Sequence, residues 1–324
     1  MKLIQIVARD LPDAWFQAVY AAIQEGREFP IDQGSYAGSK RLEFDYITIV
    51  VKDPCFGEPH KRLPELPAHY NIPDPVNPDY VFGGPTHVDK ESEKPLRTYV
   101  EYLMTATKEK NESYTYGERL VQYPVEAWIK KFWDKKCAYN VADAIAIPPQ
   151  ILELTDDEKK IVHLEDELWN NDKIIKTVGI PKFMVLDQIE YAIWRYKKSG
   201  FRNNQVVLQV AHPNDMLIQD PPCLRQIDTR IQDGKLHFII DFRSWDLWSG
   251  FPANLAAFTV LMEYMASEIG VETGEFVCSS KGLHLYNYVW ELAEVIRGKT
   301  MKEFREERNE MKVSGSYQSC FPKS

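Results

Sequence analysis

An α+β protein, one chain of 324 residues with strands and helices mixed along it, is predicted by three features of the sequence. Asp233-Gly234 stands between two strand-like runs, QIDTRI and KLHFIIDF, and Asp-Gly in that setting is among the strongest short hairpin signals. The stretch PANLAAFTVLMEYMASEIG puts Leu255, Phe258, Met262, Met265 and Ile269 on one helical stripe, with Ala256, Val260 and Leu261 elsewhere around it. A helix apolar on most sides is a central, buried one. EFVCSS then reads as a further strand.

At 44% hydrophobic and 12% aromatic residues the chain can bury a sizeable core. No repeat and no Gly/Ser linker divides it, so residues 1–324 read as one domain with insertions. Basic residues number 39 against 48 acidic, a formal net charge of −9, which argues against a general nucleic-acid or anionic-membrane binder and leaves room for a local anion pocket. MKLIQIVARD holds no signal-like apolar run, and no stretch approaches the roughly 20 apolar residues of a membrane span. A cytoplasmic protein is expected. The five cysteines, Cys55, Cys137, Cys223, Cys278 and Cys320, are scattered and form no C-x-x-C pair, so neither a disulfide framework nor a zinc site is indicated, and a functional cysteine would act as a thiol.

Taken in order, residues 53–98 carry many of the 20 prolines and are expected to form a long irregular surface excursion. From about 124 to 180 the pattern turns helical, with Thr155-Asp156-Asp157-Glu158 matching a capping box before KKIVHLEDELW; this is an inserted lobe. LDQIEYAIWRYKKSG follows as an amphipathic helix with Leu186, Ile189, Ile193 and Tyr196 on its apolar face and Gly200 as its stop. QVVLQVA is a strand, and the hairpin comes next with Cys223 at its mouth. After the central helix and EFVCSS, GLHLYNYVWELAEVIRG begins as a loop or turn and runs into a helix. KTMKEFREERNEMK is a solvated charged helix before a loose tail.

Taken singly, the chemically interesting residues have ordinary explanations. A lone cysteine is usually a small buried hydrophobe. Arg243 could pair with Asp241 or Asp246, His284 and Tyr286 could be packing residues, and Trp245 and Trp248 are first of all aromatic core. Their arrangement carries more: Pro-Cys at 222–223, then Arg243-Ser244-x-Asp246 twenty positions after the cysteine, then G-x-P-x-N ending at Asn254, then His284-x-Tyr286.

This constellation resembles the thymidylate synthase family, most clearly over roughly 186–292, and the wording CLRQID, FRSWDLWSGFPANL and SSKGLHLY is most similar to its archaeal-type branch, related to nucleotide hydroxymethylases. Upstream, Tyr116-Gly117 in SYTYGERL resembles the family's Tyr-Gly beside the nucleotide pocket, and Glu101 in VEYLM is the candidate for the glutamate that orders water at the base. The resemblance implies a homodimeric α+β methyltransferase with a mixed sheet, which converts dUMP to dTMP with 5,10-methylenetetrahydrofolate as co-substrate and without a metal.

In that scheme the Cys223 thiolate adds to C6 of the pyrimidine and makes C5 nucleophilic. Arg243 and Ser244 bind the nucleotide phosphate, and the guanidinium also lowers the thiol's pKa. The family's arginine pair from the partner subunit falls here on Asn203-Asn204, which leaves neighbouring Arg202, or Arg41 and Arg225, to complete the phosphate site. Asn254 reads the base edge and favours uracil over cytosine. Asp246 and Trp245 face the folate, and His284 and Tyr286 the sugar. Asp228 stands where the family has glutamine, and Leu224 replaces the histidine that follows the cysteine in the common bacterial form. Two alternatives remain at this point: a pyrimidine nucleotide 5-hydroxymethylase, in which water captures the same adduct, and a nucleotide-binding regulator with a vestigial site.

Overall fold

The computed structural model describes residues 1–32, 36–110, 112–125, 162–163, 184–218, 220–299, 302–303 and 306–307. Strand β1 (Leu3–Ala8) leads into α1 (Leu11–Glu25), which begins where the Asp10 carboxylate accepts the Asp13 N–H and Pro12 occupies the first turn. Strands β2 (Arg27–Pro30), β3 (Lys40–Glu43) and β4 (Tyr46–Val51) follow. The proline-rich stretch is irregular apart from short helical turns and α2 (Pro78–Phe82), but it is not confined to the surface. Leu63, Leu66, Ile72, Val76 and Val81 are buried in the core, because leucines and valines spaced between prolines give an extended chain apolar anchors without regular hydrogen bonding.

Short helices α3 (Tyr99–Met104) and α4 (Tyr116–Val121) come next. Three small strands, β5 (Tyr123–Val125), β6 (Val162–His163) and β7 (Met184–Leu186), form a sheet of their own. Val162 and His163, expected in a helix, pair instead with Leu186 and Val185. Apart from 124–125 and 162–163, the inserted lobe, with the capping box at 155–158, lies outside the described residues, as do most of the charged helix after 299 and the tail. Helix α5 (Gln188–Ser199) starts at the Asp187 cap and stops at Gly200, whose φ of 80° suits glycine. It buries Ile189, Ile193 and Tyr196 as expected, while Leu186 belongs to β7.

Strand β8 (Val207–Gln209) precedes the hairpin of β9 (Leu224–Gln232) and β10 (Lys235–Phe242). Asp233 and Gly234, with φ of 52° and 74°, make the two-residue turn that the Asp-Gly pair predicts, since a type I′ turn needs positive φ at both positions. Two-residue β11 (Trp245–Asp246) leads into α6 (Gly250–Ile269), of whose 20 residues 14 are buried; this is the central helix. The chain continues through β12 (Glu272–Ser280), β13 (Leu283–Tyr286) and α7 (Trp290–Ile296). LHLY is thus a strand rather than a loop, because it gains partners on both edges: β11 in parallel and β3 in antiparallel pairing.

The main sheet runs β1-β4-β12-β10-β9-β8, and a second runs β11-β13-β3-β2. Residues alternate along each main-sheet strand between buried and half-exposed. The buried face holds Ile49, Cys278, Ile240 and Ile227 under α6, with α1 and α5 flanking that helix on the same side. The other face carries one aligned row, Val7, Val50, Val277, Ile239, Asp228 and Val207, running across all six strands. Among the described residues no helix is long and apolar enough to cross a membrane.

Candidate active site

The hairpin explains the spacing of its two chemical residues. A nine-residue strand, a two-residue turn and an eight-residue strand return the chain so that the Arg243 N–H donates to the Cys223 carbonyl at 2.8 Å. The register shifts at this end: Asp241 opposes Gln226 and Phe242 opposes Leu224, which leaves Arg225 as the bulged residue. Bulges re-aim side chains near functional sites, and Arg225 lines the same cavity as Arg243.

The Arg243 guanidinium wraps the segment before the cysteine. Its Nε donates to the carbonyls of Pro221 and Pro222, both at 3.2 Å, and its Nη2 pairs with Asp220 at 2.9 Å. Prolines have no N–H, but their carbonyls remain acceptors, and the arginine uses both. The expected partners Asp241 and Asp246 are not the ones it meets. Asp220 is 89% exposed, so this ion pair is well solvated and contributes little to stability. A cavity of about 580 Å³ opens here, lined by Arg225, Arg243, Lys281, Asp215 and Asp241. Ser244 sits half-buried at the end of β10, packed by Gly282, where a Cβ would come within 2.9 Å of the Arg243 carbonyl.

Burial pushes the Cys223 thiol above its ordinary range, against the pull of Arg243. The arginines therefore moderate a cost of desolvation rather than produce a freely ionised thiol. Around the cysteine stands a group of tyrosines. The Tyr116 hydroxyl accepts the N–H of Leu224 at 3.2 Å, and Tyr116 packs against Tyr102 and Tyr114. Gly117 is required beside it, because a Cβ there would lie 2.0 Å from the Thr105 carbonyl oxygen. Desolvation holds the phenols of Tyr99 and Tyr116 well above the usual tyrosine range, so both are neutral hydroxyls.

Asn254 is buried in the first turns of α6. Its Oδ1 accepts the Trp245 Nε1–H at 2.6 Å, and its Nδ2 donates to the Tyr99 hydroxyl at 2.5 Å. Trp245, expected to face the folate, is only 3% exposed and lies stacked on Phe242 with ring centres 3.9 Å apart. Its indole is a packing group and a donor to Asn254. Asp246 also has local work: its carboxylate accepts the N–H groups of Trp248, Ser249 and Gly250 and the Ser249 hydroxyl at the start of α6. A second cavity, about 340 Å³, opens over Asn254 between Tyr80, Tyr99, Asn77, Gly250 and Ala253.

His284 is buried on β13, and its Nδ1 contacts the Gly282 carbonyl at 2.8 Å. A carbonyl only accepts, so Nδ1 carries the proton and Nε2 is a bare acceptor; Nε2 is buried without a partner. Burial holds the ring below the ordinary histidine range and hence neutral. Tyr286 stacks on Tyr36 with centres 4.3 Å apart, and burial pushes its phenol up to about 12. Arg41, opposite Tyr286 on β3, is paired with Glu43 at 2.8 Å.

Two predicted residues are not brought into this group. Glu101 closes a capping box on α3, accepting the Thr98 N–H at 2.7 Å, and its carboxylate is exposed; Tyr99, at the start of the same helix, is the residue that reaches Asn254. Arg202 lines a separate cavity of about 350 Å³ with Asn203, Asn204 and Arg230. Lys281 and Tyr99 stand here as well, outside the sequence motifs. Lys281 could have been found as the one cation adjoining the His-x-Tyr motif; no local pattern marks Tyr99.

A family model described as thymidylate synthase matches residues 115–315. Proteins named "Putative thymidylate synthase" are similar to the chain: that of Methanosarcina acetivorans is 34% identical over 114 residues, 35% of this chain and 52% of its own length. That of Methanococcoides burtonii is 22% identical over 294 residues, 90% of this chain and 94% of its own length. A thymidylate synthase of Listeria monocytogenes is 32% identical over 91 residues, 28% of this chain and 29% of its own length. The aligned stretch thus spans about half the length of the Methanosarcina relative.

Proposed function

Because the chain belongs to the thymidylate synthase family, we propose that it converts dUMP to dTMP, with 5,10-methylenetetrahydrofolate supplying both the carbon and the hydride. The observation that carries this reading is the hairpin mouth, where Cys223 and Arg243 are bonded backbone to backbone. One is a nucleophile and the other an anion site, and their fixed opposition suits a ligand with a phosphate at one end and an electrophilic ring at the other.

In this reading the Cys223 sulfur bonds to C6 of the pyrimidine, and the displaced electron pair makes C5 an enamine-like carbon that can attack the one-carbon unit. Arg243, Ser244 and Arg225 take the phosphate, with Lys281 on the same cavity wall. The phosphate replaces the exposed Asp220 on the guanidinium. Arg41 stands in reserve on β3, and Arg202 of a second copy completes the anion site. The bare Nε2 of His284 accepts a sugar hydroxyl, and the protonated Tyr286 phenol donates to the sugar. Asn254 reads the base edge. Tyr116 steadies the chain at Leu224, next to the nucleophile. Glu101 is left out, since its carboxylate closes the capping box.

The residues over Asn254 fit a flat pterin: Tyr80 and Tyr99 supply aromatic walls, and Gly250 and Ala253 leave room beside the Asp246 loop. A homodimer fits the aligned row from Val7 to Val207, where Val7 is 55% and Ile239 39% exposed. Covering that row would remove apolar surface from water at about 25 cal/mol per Å². A cytoplasmic setting agrees with the free thiols Cys55, Cys223 and Cys278.

The test is to incubate the chain with the folate and, separately, dUMP, dCMP, UMP and CMP, and to weigh the products by mass spectrometry. dTMP and dihydrofolate in equal amounts from dUMP are expected. 5-Hydroxymethyl-dUMP with tetrahydrofolate would move the chain to the hydroxymethylases, and no turnover of any nucleotide would leave a binding protein.

A further inference from the structure

Asn254 is held by two neighbours that differ in one chemical respect. A carboxamide has two nearly isosteric orientations that exchange its oxygen and its NH2, and with them the order of acceptor and donor it shows a ligand. Uracil offers a carbonyl acceptor at position 4 and a donor at N3, whereas cytosine offers a donor and an acceptor in the same places. A free asparagine could turn over and read either base. The Tyr99 hydroxyl, which meets Nδ2, can both donate and accept, so it satisfies either orientation. The Trp245 indole can only donate. At 2.6 Å from the Asn254 oxygen it satisfies one orientation, and turning the amide over would set two donors against each other in a buried place.

Nor can the indole move aside. Its ring is stacked on Phe242 with 6° between the two planes, it packs on Phe251, and its backbone N–H is tied to the Gly282 carbonyl. We infer that Trp245 is a positioning residue for base choice: by donating to Asn254 it fixes the amide in one orientation, and so it, rather than asparagine alone, makes the site select uracil over cytosine. This rests on the proposed reading of Asn254 as the residue that meets the base, and it gives Trp245 a role at the nucleotide instead of the folate.

The experiment measures dUMP and dCMP binding by calorimetry on the full chain and four variants. Trp245→Phe keeps a flat ring and loses the donor, and β-(3-benzothienyl)alanine at position 245 replaces the indole N–H by sulfur at almost the same shape. Near-UV circular dichroism confirms folding, and the benzothienyl variant serves if Trp245→Phe does not fold. Either variant is expected to lose about tenfold or more of the dUMP-over-dCMP preference, mainly through gained dCMP affinity. Tyr99→Phe is expected to weaken both nucleotides alike, which leaves their ratio within about twofold. A ratio unchanged in the folded Trp245 variants, or lost to the same degree in Tyr99→Phe, overturns the inference. Asn254→Asp separates the two levels: a preference that does not move toward dCMP removes the base reading, and the inference with it, whereas a shift there with no shift at position 245 sinks the inference alone.

Discussion

The two ends of the site are built on opposite principles. At the proposed phosphate end Arg225, Arg243 and Lys281 line an open cavity, and Asp220, the ion-pair partner of Arg243, lies almost wholly in water. At the proposed base end Asn254 and Trp245 are buried with Tyr99 half-buried beside them, and the hydrogen bond from the indole to Asn254 allows a single orientation of the amide. Water screens the first end, so several cations can share one ligand and replace one another. At the second end the contact between Trp245 and Asn254 is buried, so no water compensates a wrong partner there and one donor decides what fits. In the proposed reading, affinity belongs to the wet end and choice to the dry one. Cys223 lies between them, and its thiol carries the dry end's desolvation and the wet end's guanidinium at once.

The sharpest break of this comparison is at the junction. Cys223→Ala should reduce turnover by several orders of magnitude while calorimetry finds nucleotide binding largely intact; near-normal turnover would end the covalent mechanism. Next in size, Arg243→Ala should weaken all four nucleoside monophosphates by about 10- to 100-fold, because a charge-assisted hydrogen bond serves them alike. A loss restricted to uracil nucleotides would mean that the two ends are not separable. Asn254→Asp should shift the dCMP-to-dUMP binding ratio by about tenfold and leave phosphate affinity unchanged.

Smaller effects test the balance at the thiol and the sharing among cations. The Cys223 pKa is raised, so at neutral pH less of it is thiolate than in a free cysteine, and its alkylation by iodoacetamide should keep climbing with pH where an ordinary thiol has levelled off. Arg243→Ala removes a lowering influence and should move that profile further up. A profile that levels early would show the guanidinium, not burial, in control. Smallest of all, Arg225→Ala and Lys281→Ala should each weaken phosphate binding by a few-fold in low salt, a difference that fades at high ionic strength.

What could be foreseen in the chain follows the same division. The wet end is written largely in local terms: a strand rises by a fixed amount per residue, Asp233-Gly234 fixes the turn, and counting from it puts Arg243 opposite Leu224, one place short of Cys223; the bulge at Arg225, which no local pattern marks, supplies the last step. Helix α6 and the Gly200 stop of α5 are equally plain, since period and helix ends are short-range. The dry end joins Tyr99, Trp245 and Asn254, separated by up to 155 positions, and no period marks such a meeting. LHLY looks like a loop in the sequence because its edges are supplied by β11 and β3, elements too short to announce themselves. Glu101 is the instructive exception. Thr98-x-x-Glu101 is a capping signature in plain view, and it assigns that carboxylate to the backbone before any ligand enters.

The β9–β10 hairpin has a consequence for how such chains drift apart. The bulge at Arg225 already takes up one extra residue of β9; a further residue gained or lost in one strand without a second bulge would turn every later side chain of that strand to the other face and part Cys223 from Arg243. Length can change harmlessly only in matched increments, one on each strand next to the Asp-Gly turn, where the loop points away from the chemistry. Descendants with 22 or 24 positions between thiol and guanidinium, about two or four more than here, would then work as well as this one. What inheritance has to preserve is the meeting of two strand ends, and a search that insists on a fixed interval would pass such descendants by.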